Sequence, residues 1–429
     1  MSQNRVVTVN GMIVILLLTL WWMASTPCVY AAEGTNDIGH FGRQLDDIGN
    51  DVYQGYCDNY VTAKNNAPFV VSLSRPVVMK GAVRQTTEYN EAADKTYIRL
   101  SVNKESEAYR EAAAQLRRSV STASAAFLFD HPEVFWIRNF EYSYTLLYEK
   151  NEENTYDLVI RYVEMRPGES YNGAFSQLEE VTAGISQAVT DLPDAGSRYG
   201  AVKAIHDYVC RNASYNSAAA ENGNDETYAD ARTAAPFFLG KTENTFVCEG
   251  YAKAFKILCD QMGVPCVTVS GTGRWEAHMW NYVEMTDGKW YGVDVTWDDQ
   301  SSVGYEYFLV GSDTLSADHH AIGQVLENSD VTLVYPILQT ADYHRTSEGM
   351  VSPSDVSPSD TSPSATEATA ATEATSATEA RVDTPKNTMS PSTGERDIVK
   401  AVVFLLMVSG CGIALSLRSV RRKKPLPRF

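Results

Sequence analysis

The sequence predicts an α+β fold, and three observations carry that expectation. From Cys248 to Met262, large apolar residues recur at Tyr251, Phe255, Leu258 and Met262, the spacing of one helix face. Three strand-like segments follow, Val267–Gly271, His278–Met285 and Lys289–Trp297, with no helical stretch between them. Upstream, residues 32–170 mix one long helical stretch with aromatic and β-branched runs. The expected layout is a helix packed on an antiparallel sheet, preceded by a smaller mixed α/β region.

Composition narrows the function classes. The chain has 429 residues, 44% hydrophobic and 10% aromatic, enough for a substantial core, so it is not a wholly disordered protein. Only two long apolar runs exist, one at each end, which excludes a multispanning membrane protein. A formal charge of −18 argues against nucleic acid as a partner of the folded part.

Residues 1–31 have the layout of a secretory signal peptide: Arg5, an apolar run from Gly11 to Ala24, then small residues. Val29 and Ala31 suit the −3 and −1 positions, so cleavage is expected after Ala31. An uncleaved N-terminal anchor is the other reading.

The body spans roughly residues 34–345. Lys104–Leu128 has helical composition and ends at Asp130-His131-Pro132, because proline cannot continue a helix. Glu133–Tyr148 and Tyr156–Glu164 read as a hairpin around Asn151-Glu152-Glu153-Asn154. No catalytic constellation is legible up to residue 170, and support or substrate selection is the expected role. Two helices are expected near 173–190 and 196–211.

Chemistry concentrates after residue 245. Gly263 and Pro265 stop the helix that begins near Cys248. The unpaired N–H groups and the dipole at that end favour a thiolate, and the Cys248 N–H is a candidate oxyanion donor. Between the last two strands, Thr286-Asp287-Gly288 forms a three-residue hairpin loop with glycine in the left-handed position. Met285 then faces Lys289, Trp280 faces Asp294 and His278 faces Thr296. His278 and Asp294 share a face as diagonal neighbours, about 7–8 Å apart at Cα. A two-residue loop would put them on opposite faces. A thiol nucleophile needs a base, and the base needs an orienting acceptor. Cys248, His278 and Asp294 supply these three groups. A carboxylate among Tyr291, Val293, Val295 and Trp297 is costly unless paired.

Cys248-Glu249-Gly250-Tyr251-Ala252, His278-Met279-Trp280-Asn281-Tyr282-Val283 and Trp290-Tyr291-Gly292-Val293-Asp294-Val295-Thr296-Trp297 together resemble the transglutaminase-like core, in the same Cys, His, Asp order. The resemblance covers about 172–320 and sets the domain at 171–345. It implies a papain-like α+β fold with Cys248 as nucleophile, His278 as base and Asp294 as orienter. It also implies acyl transfer through a thioester, with an amine acceptor giving cross-links and water giving hydrolysis. Trp275, Trp280 and Trp297 are candidates to line the cleft. Ala204-Ile205-His206-Asp207-Tyr208-Val209 looks like the helix preceding this core in bacterial relatives, with no catalytic role for His206. The different class that stays open is a non-catalytic, surface-displayed binding module.

No C-x-x-C, H-E-x-x-H or Gly-rich phosphate loop stands out, His319-His320 are adjacent rather than spaced for one helix face, and neither a metal nor a cofactor is expected. Outside the apolar termini there are five cysteines, Cys57, Cys210, Cys248, Cys259 and Cys266. Cys259 and Cys266 sit in core-like positions and are expected as buried thiols.

Residues 346–394 repeat Val-Ser-Pro-Ser-Asp and Ala-Thr-Glu-Ala-Thr, with no aromatic residue between Tyr343 and Phe404. Such a segment cannot offset its ordering entropy and reads as a solvated stalk with a reach of about 40 Å. Residues 395–429 hold an apolar run, Ala401–Leu417, followed by Arg418, Arg421, Arg422, Lys423, Lys424 and Arg428, so the body lies outside the membrane. Ser390-Pro391-Ser392-Thr393-Gly394 resembles the Leu-Pro-x-Thr-Gly cell-wall sorting signal of Gram-positive bacteria, with Ser390 in place of leucine. That resemblance implies a sortase cut between Thr393 and Gly394. A plain membrane anchor is the alternative. Neighbouring surface proteins or wall peptides are the expected substrates of an exported, surface-attached protein.

Overall fold

The computed structural model describes residues 39–222, 226–322 and 333–344. The expected signal peptide, stalk, sorting pentapeptide and C-terminal apolar run lie outside these residues. Among the described residues, no helix is long and apolar enough to cross a membrane.

The first half opens with α1 (Asp47–Tyr56), capped by Asp46, whose carboxylate accepts from the Gly49 N–H at 2.8 Å. It runs on into a π-helical turn, Cys57–Thr62. Next come β1 (Phe69–Met79), β2 (Val83–Asn90) and β3 (Lys95–Val102), then α2 (Glu107–Asp130), capped by Ser106. The helix expected to end at Leu128 reaches Asp130, two residues before Pro132. β4 (Ile137–Tyr144), β5 (Leu147–Lys150) and β6 (Tyr156–Glu169) complete this half. β6 pairs with β1 on one side and with β4 and β5 on the other, all antiparallel. The expected hairpin is β5–β6, with Lys150 opposite Tyr156, and β4 continues the same edge beyond a break at Thr145-Leu146. β2 and β3 form a separate exposed ribbon.

The second half begins with α3 (Leu178–Asp191) and α4 (Arg198–Asn212). Three short helices follow: α5 (Ser217–Asn222), α6 (Glu226–Ala231) and α7 (Ala235–Phe238). α8 (Cys248–Gln261) then packs on β7 (Cys266–Gly273) and β8 (Glu276–Glu284), burying Tyr251, Phe255 and Leu258. β9 (Trp290–Val293), α9 (Val295–Asp298), β10 (Phe308–Val310), α10 (Ser312–Leu315) and β11 (His319–Ala321) follow. The sheet is antiparallel, in the order β10-β9-β8-β7-β11. One buried apolar cluster joins the halves: Tyr53, Leu116 and Phe127 belong to it together with Phe255, Val269 and Trp280.

The β8–β9 register is the one the three-residue loop demands. Asn281 faces Val293, Tyr282 faces Gly292 and Glu284 faces Trp290. Gly288 adopts φ +70°, and the Met285 N–H donates to the Lys289 carbonyl at 2.9 Å. The strand expected to run to Trp297 instead ends at Val293. Asp294 caps α9 there, accepting from the Thr296 and Trp297 N–H groups at 2.9 and 3.3 Å. A side chain that bonds its own downstream backbone competes with the ladder and starts a helical turn.

Two contacts fix α8 where the site needs it. The Asn281 side-chain amide donates to the Ala252 carbonyl at 2.9 Å, tying helix to strand. Gly250 lets the helix start lie against its neighbours: a Cβ there would come within 2.4 Å of the Phe246 Cβ and 2.8 Å of the Thr233 carbonyl oxygen. Gly250→Ala is expected to destabilise the fold by about 1–3 kcal/mol through overpacking. Urea denaturation followed by circular dichroism checks this.

Candidate active site

Cys248 is the first residue of α8, and Val247 before it has an extended backbone and supplies no side-chain cap. The N–H groups of the first turn therefore have no intrahelical acceptor. The thiol is half-buried. Beside it, Glu249 turns inward and pairs with Arg232 at 2.6 Å and Lys253 at 2.7 Å. Burial would raise that carboxyl, but the two cations outweigh it and hold it below its ordinary value. The pairing removes a competing negative charge from the neighbourhood of the thiol.

His278 projects from β8, and its Nε2 lies 2.7 Å from Asp294 Oδ2. The Cys248 side chain acts on the same ring. Burial pushes the imidazole down, but the Asp294 carboxylate and the Cys248 side chain outweigh it and raise the ring to about 10. The ring stacks on Trp297, centroids 5.0 Å apart. Gly273 makes that stack possible, since a Cβ there would meet Trp297 at 2.7 Å and His278 at 3.0 Å.

Asp294 is completely buried. Burial would raise its carboxyl, but His278 and His319 hold it well below the usual carboxylate range. Its Oδ1 accepts the two α9 N–H groups, and its Oδ2 accepts from His278 and from His319 Nε2 at 3.0 Å. The structure thus pairs His278 with Asp294 directly, and the Cys248 side chain acts electrostatically on the same imidazole.

Residues 185–295 match the family model described as the transglutaminase-like superfamily. This stretch is a transglutaminase-like domain. The kyphoscoliosis peptidase of Mus musculus is 31% identical over 149 residues, covering 32% of this chain and 21% of the relative. The kyphoscoliosis peptidase of Homo sapiens is 32% identical over 134 residues, covering 28% and 19% respectively. The chain thus spans about a fifth of the length of these curated relatives. A solved structure described as a TGase is similar over 36% of this chain and 44% of its own, at 17% identity and a TM-score of 0.23. The observed architecture of helices and antiparallel sheets is the expected mixed α+β transglutaminase-like fold.

The transglutaminase-like domain places the three candidate cleft tryptophans differently. Trp275 stands 82% exposed in the tight turn between β7 and β8. Trp297 is half-buried, between the His278 ring and the Arg274 guanidinium 4.5 Å from its ring. Trp280 is only 1% exposed, so it cannot line an open cleft. It shares a strand face with His278 and packs against His319 from inside the core.

His319 is the site residue that sequence reading missed. β11 pairs with β7, setting His319 opposite Gly273. Its Nδ1 meets Asp318 Oδ1 at 2.8 Å and its Nε2 meets Asp294, so both ring nitrogens face carboxylates. Nothing in the His319-His320 pair signals this, because the edge-strand pairing that delivers it is non-local. His278, Asp294 and His319 also have the donor chemistry and proximity of a metal site. Their short N···O distances are those of hydrogen bonds, and a cation would have to displace the protons that join them. His206, expected to be non-catalytic, is buried between Asp207 and Asp298 and ties α4 to α9.

Three outcomes follow for the transglutaminase-like domain. Asp294→Asn removes the charge that raises His278, so the ring titration moves from about 10 toward the ordinary value of about 6.5. Ring-nitrogen NMR reads that shift. The linked stability of the raised imidazole is fully present below about pH 6.5 and is lost as pH rises through about 10. The depressed Asp294 contributes above about pH 4, and this is lost as pH falls. His319→Phe deprives Oδ2 of one donor and is expected to cost about 1–3 kcal/mol in urea denaturation.

Proposed function

We propose that this protein carries out thiol-dependent acyl transfer on carboxamides of proteins or peptides, through a thioester on Cys248. The observation that carries the reading is the buried His278–Asp294 pair at 2.7 Å, whose imidazole is also acted on by the side chain of Cys248, the first residue of α8. The Cys248 sulfur attacks the carboxamide carbon, and the carbonyl π electrons move onto oxygen. The first-turn N–H groups of α8 face that developing charge. As the tetrahedral species collapses, the C–N bond breaks and His278 gives its proton to the departing ammonia or amine. The acceptor, water or an amine, then gives a proton to His278 and attacks the thioester carbon. The C–S bond breaks and the thiol is restored. Asp294 holds the ring by Nε2 throughout and stabilises its protonated form.

Water as acceptor gives amide hydrolysis, and an amine gives a cross-link. The peptidase names of the two relatives favour hydrolysis. The setting proposed with this activity is the extracellular face: exported through residues 1–31, held off by the 346–394 stalk, and attached through the C-terminal segment or by a sortase at Ser390–Gly394. Surface proteins or wall peptides would then be the substrates within reach.

Alkylation by iodoacetamide across pH 5–9, with peptide mapping, tests the thiol. Labelling at Cys248 well below pH 8, absent in Cys248→Ala and weakened in His278→Ala, is the expected result. If folded Cys248 stays unlabelled, or reacts like an ordinary thiol of pKa about 8.5, the enzyme reading fails. A non-catalytic surface binding module then takes its place. Amine incorporation measured beside ammonia release separates cross-linking from hydrolysis.

A further inference from the structure

The N-terminal region holds a second thiol–imidazole–carboxylate line. No catalytic constellation is legible in the sequence of this region, because the members of this line come from separate segments. Cys57 starts the π-helical turn after α1, and His131 follows the last residue of α2. These positions are 74 residues apart in sequence, so only the packing of α1 on α2 joins them. Cys57 Sγ lies 3.7 Å from His131 Nε2, and His131 Nδ1 lies 2.8 Å from Glu133 Oε1. The Tyr53 hydroxyl donates to Asp130 at 3.0 Å and sits 3.2 Å from the same His131 Nε2. Neither partner is sealed off: the His131 and Glu133 side chains are 15% and 33% exposed, and Cys57 is half-buried.

We propose that Cys57, His131 and Glu133 form a redox-reactive thiol site whose substrate is a small hydroperoxide. Three features of the fold support it. His131 caps the C-terminus of α2, donating its backbone N–H to the Phe127 carbonyl at 2.8 Å, and a cation at that end of a helix is favoured. Glu133 fixes the ring and neutralises it; although burial pushes the ring down, the carboxylate and the thiol together raise it to about 10. π-turns are rare and concentrate at functional sites.

The same geometry argues against acyl transfer. The Cys57 backbone N–H is already bonded to the Tyr53 and Gln54 carbonyls, so it offers nothing to an oxyanion, unlike the helix start at Cys248. Displacement at a peroxide oxygen needs only a sulfur nucleophile and a proton for the leaving group. The Cys57 sulfur attacks the terminal oxygen of R–O–O–H, the S–O bond forms and the O–O bond breaks. The departing alkoxide takes the His131 Nε2 proton and leaves as the alcohol. Sulfur loses two electrons to the peroxide and becomes the sulfenic acid. A cavity of about 70 Å³ borders the His131 ring on its side toward Arg232 and Glu249, and Cys57 is not among its lining residues.

The test uses the full chain with hydrogen peroxide at pH 6.5, dimedone trapping and peptide mapping. Cys57 is expected to be tagged about tenfold faster in the folded chain than in the same chain unfolded in urea. His131→Gln should remove most of that difference and Glu133→Gln part of it, while Cys248→Ala leaves it unchanged. Equal rates in folded and unfolded chain, or an enhancement that survives His131→Gln, overturn the proposal. If His131→Gln fails to fold by circular dichroism, wild type and Glu133→Gln decide: an enhancement that Glu133→Gln leaves intact overturns it. Because the readout is Cys57 alone, it is independent of whether Cys248 performs acyl transfer.

Discussion

Everything in the transglutaminase-like domain is arranged around one buried carboxylate. Asp294 has no contact with water, so its charge is tolerable only if four donors meet it: two from the α9 backbone, one from β8 and one from β11. Meeting that demand ends β9 at Val293, starts a helical turn and draws the edge strand in. The imidazole that faces Cys248 is oriented as one consequence of satisfying the carboxylate. Breaking a buried pair of this kind leaves an uncompensated charge, worth about 3–5 kcal/mol, so the site is also a structural keystone.

Much of this half could be read from the residues alone, because the information is local. Thr286-Asp287-Gly288 sets the hairpin register through loop length and one left-handed glycine, and the register puts His278 and Asp294 on one face. Gly263 and Pro265 bound the nucleophile helix. What escaped depends on distant segments. Asp294 as a helix cap breaks the strand pattern, although Val295 and Trp297 still alternate as if the strand continued. His319 arrives by edge pairing, and Trp280 is buried because the sheet is covered where an isolated hairpin would be open. Cys57 and His131 are brought together by the packing of two helices, and no spacing rule spans that distance.

The two thiols differ in backbone context more than in side-chain partners. Each has an imidazole and a carboxylate in line. Cys248 begins a helix, with spare N–H groups beside its sulfur, whereas Cys57 continues one, with its N–H already used. Under the two proposals, the same three side-chain types would therefore meet different electrophiles, a carbonyl at one site and a peroxide oxygen at the other. Glu133 also lies near Lys256 on α8, so the two neighbourhoods share the helix that carries the nucleophile.

The order of the site residues along the chain has a temporal meaning. A polypeptide made from its N-terminus presents Cys248 first, His278 next, then Asp294, and His319 last. Until the final edge strand has joined the sheet, the buried carboxylate lacks its fourth donor and the imidazole its fixed partner. Under the proposed acyl transfer, the emerging chain would carry Cys248 beside an unfinished site until the last edge strand has emerged and docked His319 against Asp294.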